Sequence, residues 1–385
     1  MNNDILNVKV DSKSTGTLCF EKEEYIFSYD TKENDAYISL TMPIRNKSWS
    51  SKNLHPIFEM HLPEGYLLSI IKKHFSKLTK TDDFGLLKLM SPHIKGRVSY
   101  EYKNILDTKP LLLEDLLNPK SENLFEELVH RFALNSTISG VQPKVLAQIQ
   151  NKATLKLEDY IVKSWGEEYP QLALNEYLCM KVVEKANIPV PEFYISNDKS
   201  LFIMKRFDIK EDDTYLGFED MCVLQAKQRD DKYEGTYEQI VKTIKTFVSS
   251  KYKRSSLESF FKMIVINFLL KNGDAHLKNF GLVYDDINNI RLAPAFDVVT
   301  TTLYIKSDIP ALHLLGSKKW WQKKHLLKFG IEFCDLTSSE AKYLYETCIE
   351  ARDEVILELN LIIEKEENEK IKGLLQNMLT IWTTP

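Results

Sequence analysis

From Leu257 to Lys271 the chain is apolar on most sides, and it runs directly into the polar loop Asn-Gly-Asp-Ala-His-Leu-Lys-Asn at 272–279. A helix that is hydrophobic nearly all round belongs at the centre of a lobe. The rest of the chain arranges itself about this point, strand-rich before it and helix-rich from Tyr237 onward. Residues Thr17 to Ile44 read mostly as strands, YIFSYD and AYISLTMPI, split by a polar turn at 31–35 and ended by Pro43. Leu62 to Phe75 reads as a short helix after LPEG, and DDFGLLKLMSPHIKGRVSYEY as helix, loop and strand. These make a small α/β subdomain. A polar helical connection spans Asp107 to Phe132. NSTISGVQPKVLAQIQ then reads as strand, loop and strand, and TLKLEDYIVKSW as a further strand. Gln171 to Asn187 is a helix with Leu174, Leu178, Val182 and Val183 on one side, stopped by Pro189 and Pro191; LFIMKRFDI is a buried strand. Tyr237 to Ser249 is helical, FGLVYD and IRLAPAFDV are short strands, and Ser338 to Trp382 is a long charged helical tail.

Composition narrows the class. With 385 residues, 43% hydrophobic and 28% charged, the chain is globular and large enough for two or three subdomains. A net charge of −4 argues against sequence-independent nucleic-acid binding by the whole surface. Five scattered cysteines, with no C-x-x-C pair, fit a reduced cytoplasm and argue against structural zinc. The N-terminus lacks a signal-peptide apolar region, and the longest apolar run, Met263 to Leu270, is too short to span a bilayer. A cytoplasmic location with no membrane contact is expected.

Phosphoryl transfer needs a base near the acceptor hydroxyl, magnesium ligands, a cation on the phosphates and a loop over them. Kinases place the catalytic aspartate five residues before a metal-binding asparagine, after a buried helix. Asp274 and Asn279 have that spacing, and Asp297 follows one hairpin later. Lys163 lies upstream on a predicted strand, and the Ser/Thr/Gly loop STISGVQPK lies before it. Singly, each has a plainer explanation. A five-residue Asp–Asn spacing is an ordinary capped loop, Lys163 a surface lysine at a strand end, Asp297 an N-cap or a salt-bridge partner and His276 a packed loop histidine. The loop at 136–144 has one glycine and matches neither usual glycine-rich phosphate motif. The ordered set is far more specific than its members.

SGVQPK, MKRFD, FEDMC, NGDAHLKNF and APAFDVVT together resemble the HipA family of serine/threonine kinases, the toxins of bacterial toxin–antitoxin pairs. SLTMPIR, FEMHLPEG and DFGLLKLMSPHIKGRVSY are similar to that family's N-terminal subdomain. The resemblance implies a two-lobed, protein-kinase-like α+β fold. Its expected parts are an N-terminal subdomain at 1–105, a kinase N-lobe at 106–208 and a helical C-lobe at 209–385. It implies Asp274 as the base, Asn279 and Asp297 as Mg2+ ligands, and Lys163 on the ATP phosphates. It implies Lys205 and Phe207 at the hinge beside adenine, His276, Lys278 and Phe296 lining the nucleotide site, and Ser139, Gly140, Val141, Gln142 and Lys144 in the loop over the phosphates. Pro143 stands where the family often has glutamate, stiffening the loop and removing a donor. Autophosphorylation is expected at Thr137 or Ser139; a plain serine turn is the other reading of Ser139. Glu176 reads first as a solvated first-turn glutamate, and second as a partner of Lys163. Glu219 and Asp220 read as structural residues near the nucleotide site.

The resemblance further implies a protein substrate, with aminoacyl-tRNA synthetases as the class, growth inhibition, and a HipB-like helix-turn-helix antitoxin through which DNA is met only indirectly. Two other functions fit the same motifs. One is a small-molecule phosphotransferase, since antibiotic and choline kinases share the D-x-H-x-x-N loop. The other is a non-catalytic antitoxin-binding corepressor. Basic runs at Lys251 to Arg254 and Lys318–Lys319 are solvated faces or DNA contacts within such a complex.

Overall fold

The computed structural model describes residues 5–62, 64, 82–91, 94–101, 111–112, 117, 144–150, 157–166 and 168–384. Strands β1 (Ile5–Val10), β2 (Lys13–Glu21) and β3 (Glu24–Tyr29) are joined by two-residue turns at Asp11–Ser12 and Lys22–Glu23. All four turn residues have positive φ, which matches the right-handed twist of the flanking strands. With β4 (Trp49–Ser51) and β5 (Val98–Tyr100) they form an antiparallel sheet in the order β4-β3-β2-β1-β5. Helices α1 (Pro56–Glu59) and α2 (Asp83–Met90) contribute to its core, where Val8, Leu18, Phe27, Phe58 and Leu87 are buried.

The second predicted strand, AYISLTMPI, is a buried loop instead. Only Ser39 and Met42 bridge there. Tyr37, Ile38 and Met42 are buried without strand pairing because the loop is tied down by side chains. Arg97 donates to the Tyr37 and Asp35 carbonyls at 2.7 and 2.6 Å. The Tyr29 hydroxyl accepts from the Ile38 amide and donates to the Met42 carbonyl. Buried backbone groups need partners, and strand pairing is one way among several to provide them.

The second sheet has the order β6-β7-β8-β10-β9. Its strands are β6 (Leu111–Leu112), β7 (Lys144–Gln150), β8 (Leu157–Lys163), β9 (Phe193–Ile195) and β10 (Phe202–Lys205). Strand alternation decides what each face meets. Tyr160 and Val162 of β8, with Ile203 of β10, join the N-terminal core. Ile161, Phe202 and Met204 face the other way, into the core of the second lobe. Lys163 shares the parity of Ile161, so its ammonium points into the cleft. Helix α3 (Leu172–Lys185) packs there through Leu174, Leu178, Val182 and Val183.

The second lobe is helical, around the three-stranded sheet β11 (Gly217–Asp220), β12 (Gly281–Tyr284) and β13 (Ile290–Leu292). Helix α4 (Met221–Leu224) follows β11, and α5 (Tyr237–Phe247) leads to α6 (Ser250–Leu269). Helix α6 begins seven residues before the apolar run, because its first turns are polar and half-exposed. Helix α7 (Lys323–Glu332) precedes the tail. The tail is two helices, α8 (Ser338–Lys365) and α9 (Glu369–Thr383), since Asn368 caps the second by accepting from the Lys370 and Ile371 amides. Most of the expected helix at 62–75, nearly all of the connection at 107–132 and the expected strand before the phosphate loop lie outside the described residues. Among those described, no helix is long and apolar enough to cross a membrane.

Glu219 locks the first sheet's loop to the helical lobe. It is fully buried, and its carboxylate accepts from Ser39 Oγ, the Leu40 amide and Tyr284 Oη, each at 2.7 Å. Glu219→Ala orphans these donors and is expected to cost about 1–3 kcal/mol, read as a lower urea midpoint. Glu219→Gln, which keeps an acceptor, is expected to lose less.

Candidate active site

The end of α6 sets the loop at 272–279. Lys271 takes a left-handed φ of 54°, and Asn272 turns back to bond Asn267 through backbone and side chain, both at 2.8 Å. The Asp274 amide donates to Asn272 Oδ1 at 3.1 Å, and the Gly273 amide to Thr301 Oγ1 at 2.7 Å. A Cβ on Gly273 would lie 2.0 Å from Asp308 Oδ2, so any side chain there would push Asp308 off its bond with Thr301. Tyr237 donates to the Ala275 carbonyl, and a single 3-10 turn carries Leu277 to Asn279. Few of the loop's backbone groups are left free to move.

Lys163, Glu176 and Asp297 meet in the cleft. The ammonium is 2.5 Å from Glu176 Oε1 and 2.5 Å from Asp297 Oδ1. Lys163 and Glu176 are almost wholly buried. Burial alone would lower the Lys163 pKa; the Asp297 and Glu176 carboxylates outweigh it and hold the pKa above its usual value. Glu176 is therefore no solvated glutamate: α3 presents it inward, and its second reading is the correct one. Lys144 opens β7 directly across the ladder from Lys163.

Asp274 faces this group from the loop. Burial raises its carboxyl pKa to about 6; the Tyr233 hydroxyl, donating at 2.8 Å, lowers it, and the charge of Asp297 raises it further. Asn279 Nδ2 lies 3.4 Å from Asp297 Oδ2, and its Oδ1 is buried with no hydrogen-bond partner among the described residues. Asp297 holds a φ of 62°, a left-handed conformation uncommon outside glycine. His276 is buried with its pKa lowered to about 3, first by burial, so the imidazole is neutral; its ring meets Tyr233 edge to face. Lys278 pairs with Glu64 of the first subdomain.

These groups line one cavity of about 1020 Å³ between the lobes. Its opposite wall is apolar, with Ile161, Met204, Leu216 and Phe218 beside Phe207 and Phe296, whose rings stack at 5.6 Å. Lys205 stands off the wall, with its ammonium 2.7 Å from Glu158. Thr137, Ser139, Gly140, Val141 and Gln142 lie outside the described residues. Tyr233 and Glu64 carried no signal in the sequence, because each reaches the loop from a distant segment. Lys163→Met leaves Glu176 buried without its cation and is expected to destabilise by about 3–5 kcal/mol, seen as a lower melting temperature. Lys163→Met with Glu176→Leu is expected to recover much of that loss.

Family models of the HipA N-terminal domain and the HipA-like C-terminal domain match residues 6–101 and 136–356. A Haemophilus influenzae protein with a provisional kinase name is 27% identical over 262 residues, 61% of this chain and 74% of its own. Y4dM of Sinorhizobium fredii, also provisionally named a kinase, is 25% identical over 288 residues, 69% of this chain and 66% of its own. Among solved structures, the Shewanella oneidensis MR-1 toxin–antitoxin complex of HipA, HipB and operator DNA contains a chain that superposes with a TM-score of 0.72. That match spans 98% of this chain and 95% of the other at 17% identity, a likeness of fold. The two-lobed α+β architecture expected from the motifs is the one observed. With both family models matched, the chain belongs to the HipA family.

Proposed function

We propose that the protein is an ATP-dependent serine/threonine protein kinase, acting as the toxin of a HipBA-type pair. The observation that carries this is the meeting of Lys163, Asp297, Asn279 and Asp274 on one cavity, in a kinase's chain order. Phosphoryl transfer is mostly positioning and charge stabilisation, and this site supplies both. The flat apolar wall of Phe207, Phe296, Ile161 and Met204 suits adenine, with the backbone near Lys205 and Phe207 as the hinge. Lys163 takes the phosphates, and His276 and Lys278 line the site. Asn279 and Asp297 fit Mg2+: both offer hard oxygen, and Asn279 Oδ1 is buried without a partner among the described residues. Magnesium, when bound, neutralises charge on the phosphates. Asp274, held by Tyr233, accepts the proton of the acceptor hydroxyl.

The rim beside Asp274 carries exposed Ile305 and Ile309 with Lys318 and Asp308. Such an open, mixed surface favours a protein acceptor over the small cation of an antibiotic or choline kinase. The substrate class is an aminoacyl-tRNA synthetase, whose modification slows translation and growth. The partner is a HipB-like helix-turn-helix protein, through which DNA is met. Thr137 or Ser139 is the autophosphorylation site, where added charge would compete with the ATP phosphates. Incubation with ATP and magnesium followed by mass spectrometry is expected to find phosphate on the 136–144 peptide; an unmodified peptide from an active enzyme removes this part.

Asp274→Asn is expected to lower transfer from ATP by about a hundredfold or more. The base works ionised and its pKa is raised, so wild-type kcat/KM is expected to fall as pH drops through about 6. The same shift means that folding binds a proton more readily than the unfolded chain does, so ionised Asp274 costs stability at neutral pH. The variant is thus expected to melt no lower than wild type. Equal transfer by Asp274→Asn, with equal growth arrest on expression, would refute the kinase reading.

A further inference from the structure

We propose that Glu64 of the N-terminal subdomain is a positioning residue that ties the catalytic loop, at Lys278, to the turn that carries Tyr233, making the subdomain a working part of the active site. The inference rests on the kinase reading of Asp274 and Asn279. One carboxylate serves two cations. Glu64 Oε2 is 3.2 Å from Lys232 Nζ, and Oε1 pairs with Lys278 Nζ. Lys232 directly precedes Tyr233, whose hydroxyl holds Asp274 Oδ1. Lys278 directly precedes Asn279, beside Asp297. Glu64 therefore holds the residue before Asn279 and the residue before Tyr233, whose hydroxyl supports Asp274, and it lines the same cavity.

The cluster is expensive for a mere docking contact. The three side chains are only 9–11% exposed. Burying charges so completely adds little net stability over an apolar contact, and a fixed arrangement is what such clusters can supply. The subdomain is already docked by other means. Glu219 binds Ser39 and Leu40, and Arg229 lies 2.9 Å from Asp83 and donates its amide to Glu59 at 2.8 Å. Neither contact touches the loop. Lys278 also feels the buried carboxylate of Asp220. With Glu64 neutralised, Lys278 is drawn toward Asp220 and carries Asn279 with it.

Full-length Glu64→Gln, Glu64→Asp and Arg229→Gln are compared with wild type by hydrogen exchange and steady-state kinetics. Glu64→Gln is expected to speed exchange across 229–236 and 272–280 and to lower kcat about tenfold, as loss of a supporting group around a catalytic ligand does. KM for ATP is expected to stay within about threefold, because the loss is in transition-state positioning. Glu64→Asp recovers part of kcat. Arg229→Gln leaves exchange across 272–280 and kcat as in wild type. Unchanged loop exchange in Glu64→Gln overturns the proposal, as does a loosened loop with wild-type kcat, or faster exchange spread evenly over β1 to β5. A wild type no more active than Asp274→Asn sinks the kinase reading instead, and loop exchange still decides whether Glu64 clamps.

Discussion

Everything in the cleft depends on one buried cation. Lys163 comes from the second sheet, Glu176 from α3 and Asp297 from the segment after the β12–β13 hairpin, so a single ammonium ties three elements from both sides of the cavity. An ion removed from water costs several kcal/mol, and only close, well-directed partners offset that. Two carboxylates at 2.5 Å provide them. The arrangement also explains how Asp297 tolerates a left-handed backbone. Its side chain is held by Lys163 and Asn279, so the surroundings maintain a conformation the isolated residue would leave.

Around this cation the protein departs from the rules that make a quiet core. Asn279 Oδ1 and His276 Nδ1 are buried with no partner among the described residues, and Asp274 keeps a carboxyl where burial disfavours its charge. Each departure costs stability, and together they face one cavity. Concentrated in that way, they mark a site organised for a ligand rather than for folding alone. The supports lie further out, in Tyr233 on Asp274, in the Asn272–Asn267 bonds and in Glu64 between two lysines.

Features that depend on local periodicity were legible in the sequence. The alternation through YIVK places Lys163 in the cleft with Ile161, and the apolar run of α6 puts the loop of Asp274 and Asn279 at the centre of its lobe. The stop at Pro189 and Pro191 and the short hairpin before Asp297 were equally readable, although its second strand ends at Leu292 and does not run on through IRLAPAFDV. Features that depend on distant partners were not. Ala36 to Ile44 alternates like a strand but is held as a loop by Arg97 and Tyr29, neither of which its own sequence announces. Glu176 looks solvated until the fold brings Lys163 thirteen residues back onto it. Tyr233 and Glu64 reach the loop across 41 and 214 residues, separations at which no spacing rule operates.

The role proposed for Asp297 and Asn279 is to hold a metal-bound nucleotide against Lys163. Calorimetric titration of ATP into wild type and Asp297→Asn, with and without Mg2+, tests it most directly. Magnesium is expected to strengthen ATP binding to wild type, and Asp297→Asn is expected to lose that gain while still binding nucleotide without metal. Equal magnesium dependence in both proteins, or no ATP binding by wild type, would contradict it.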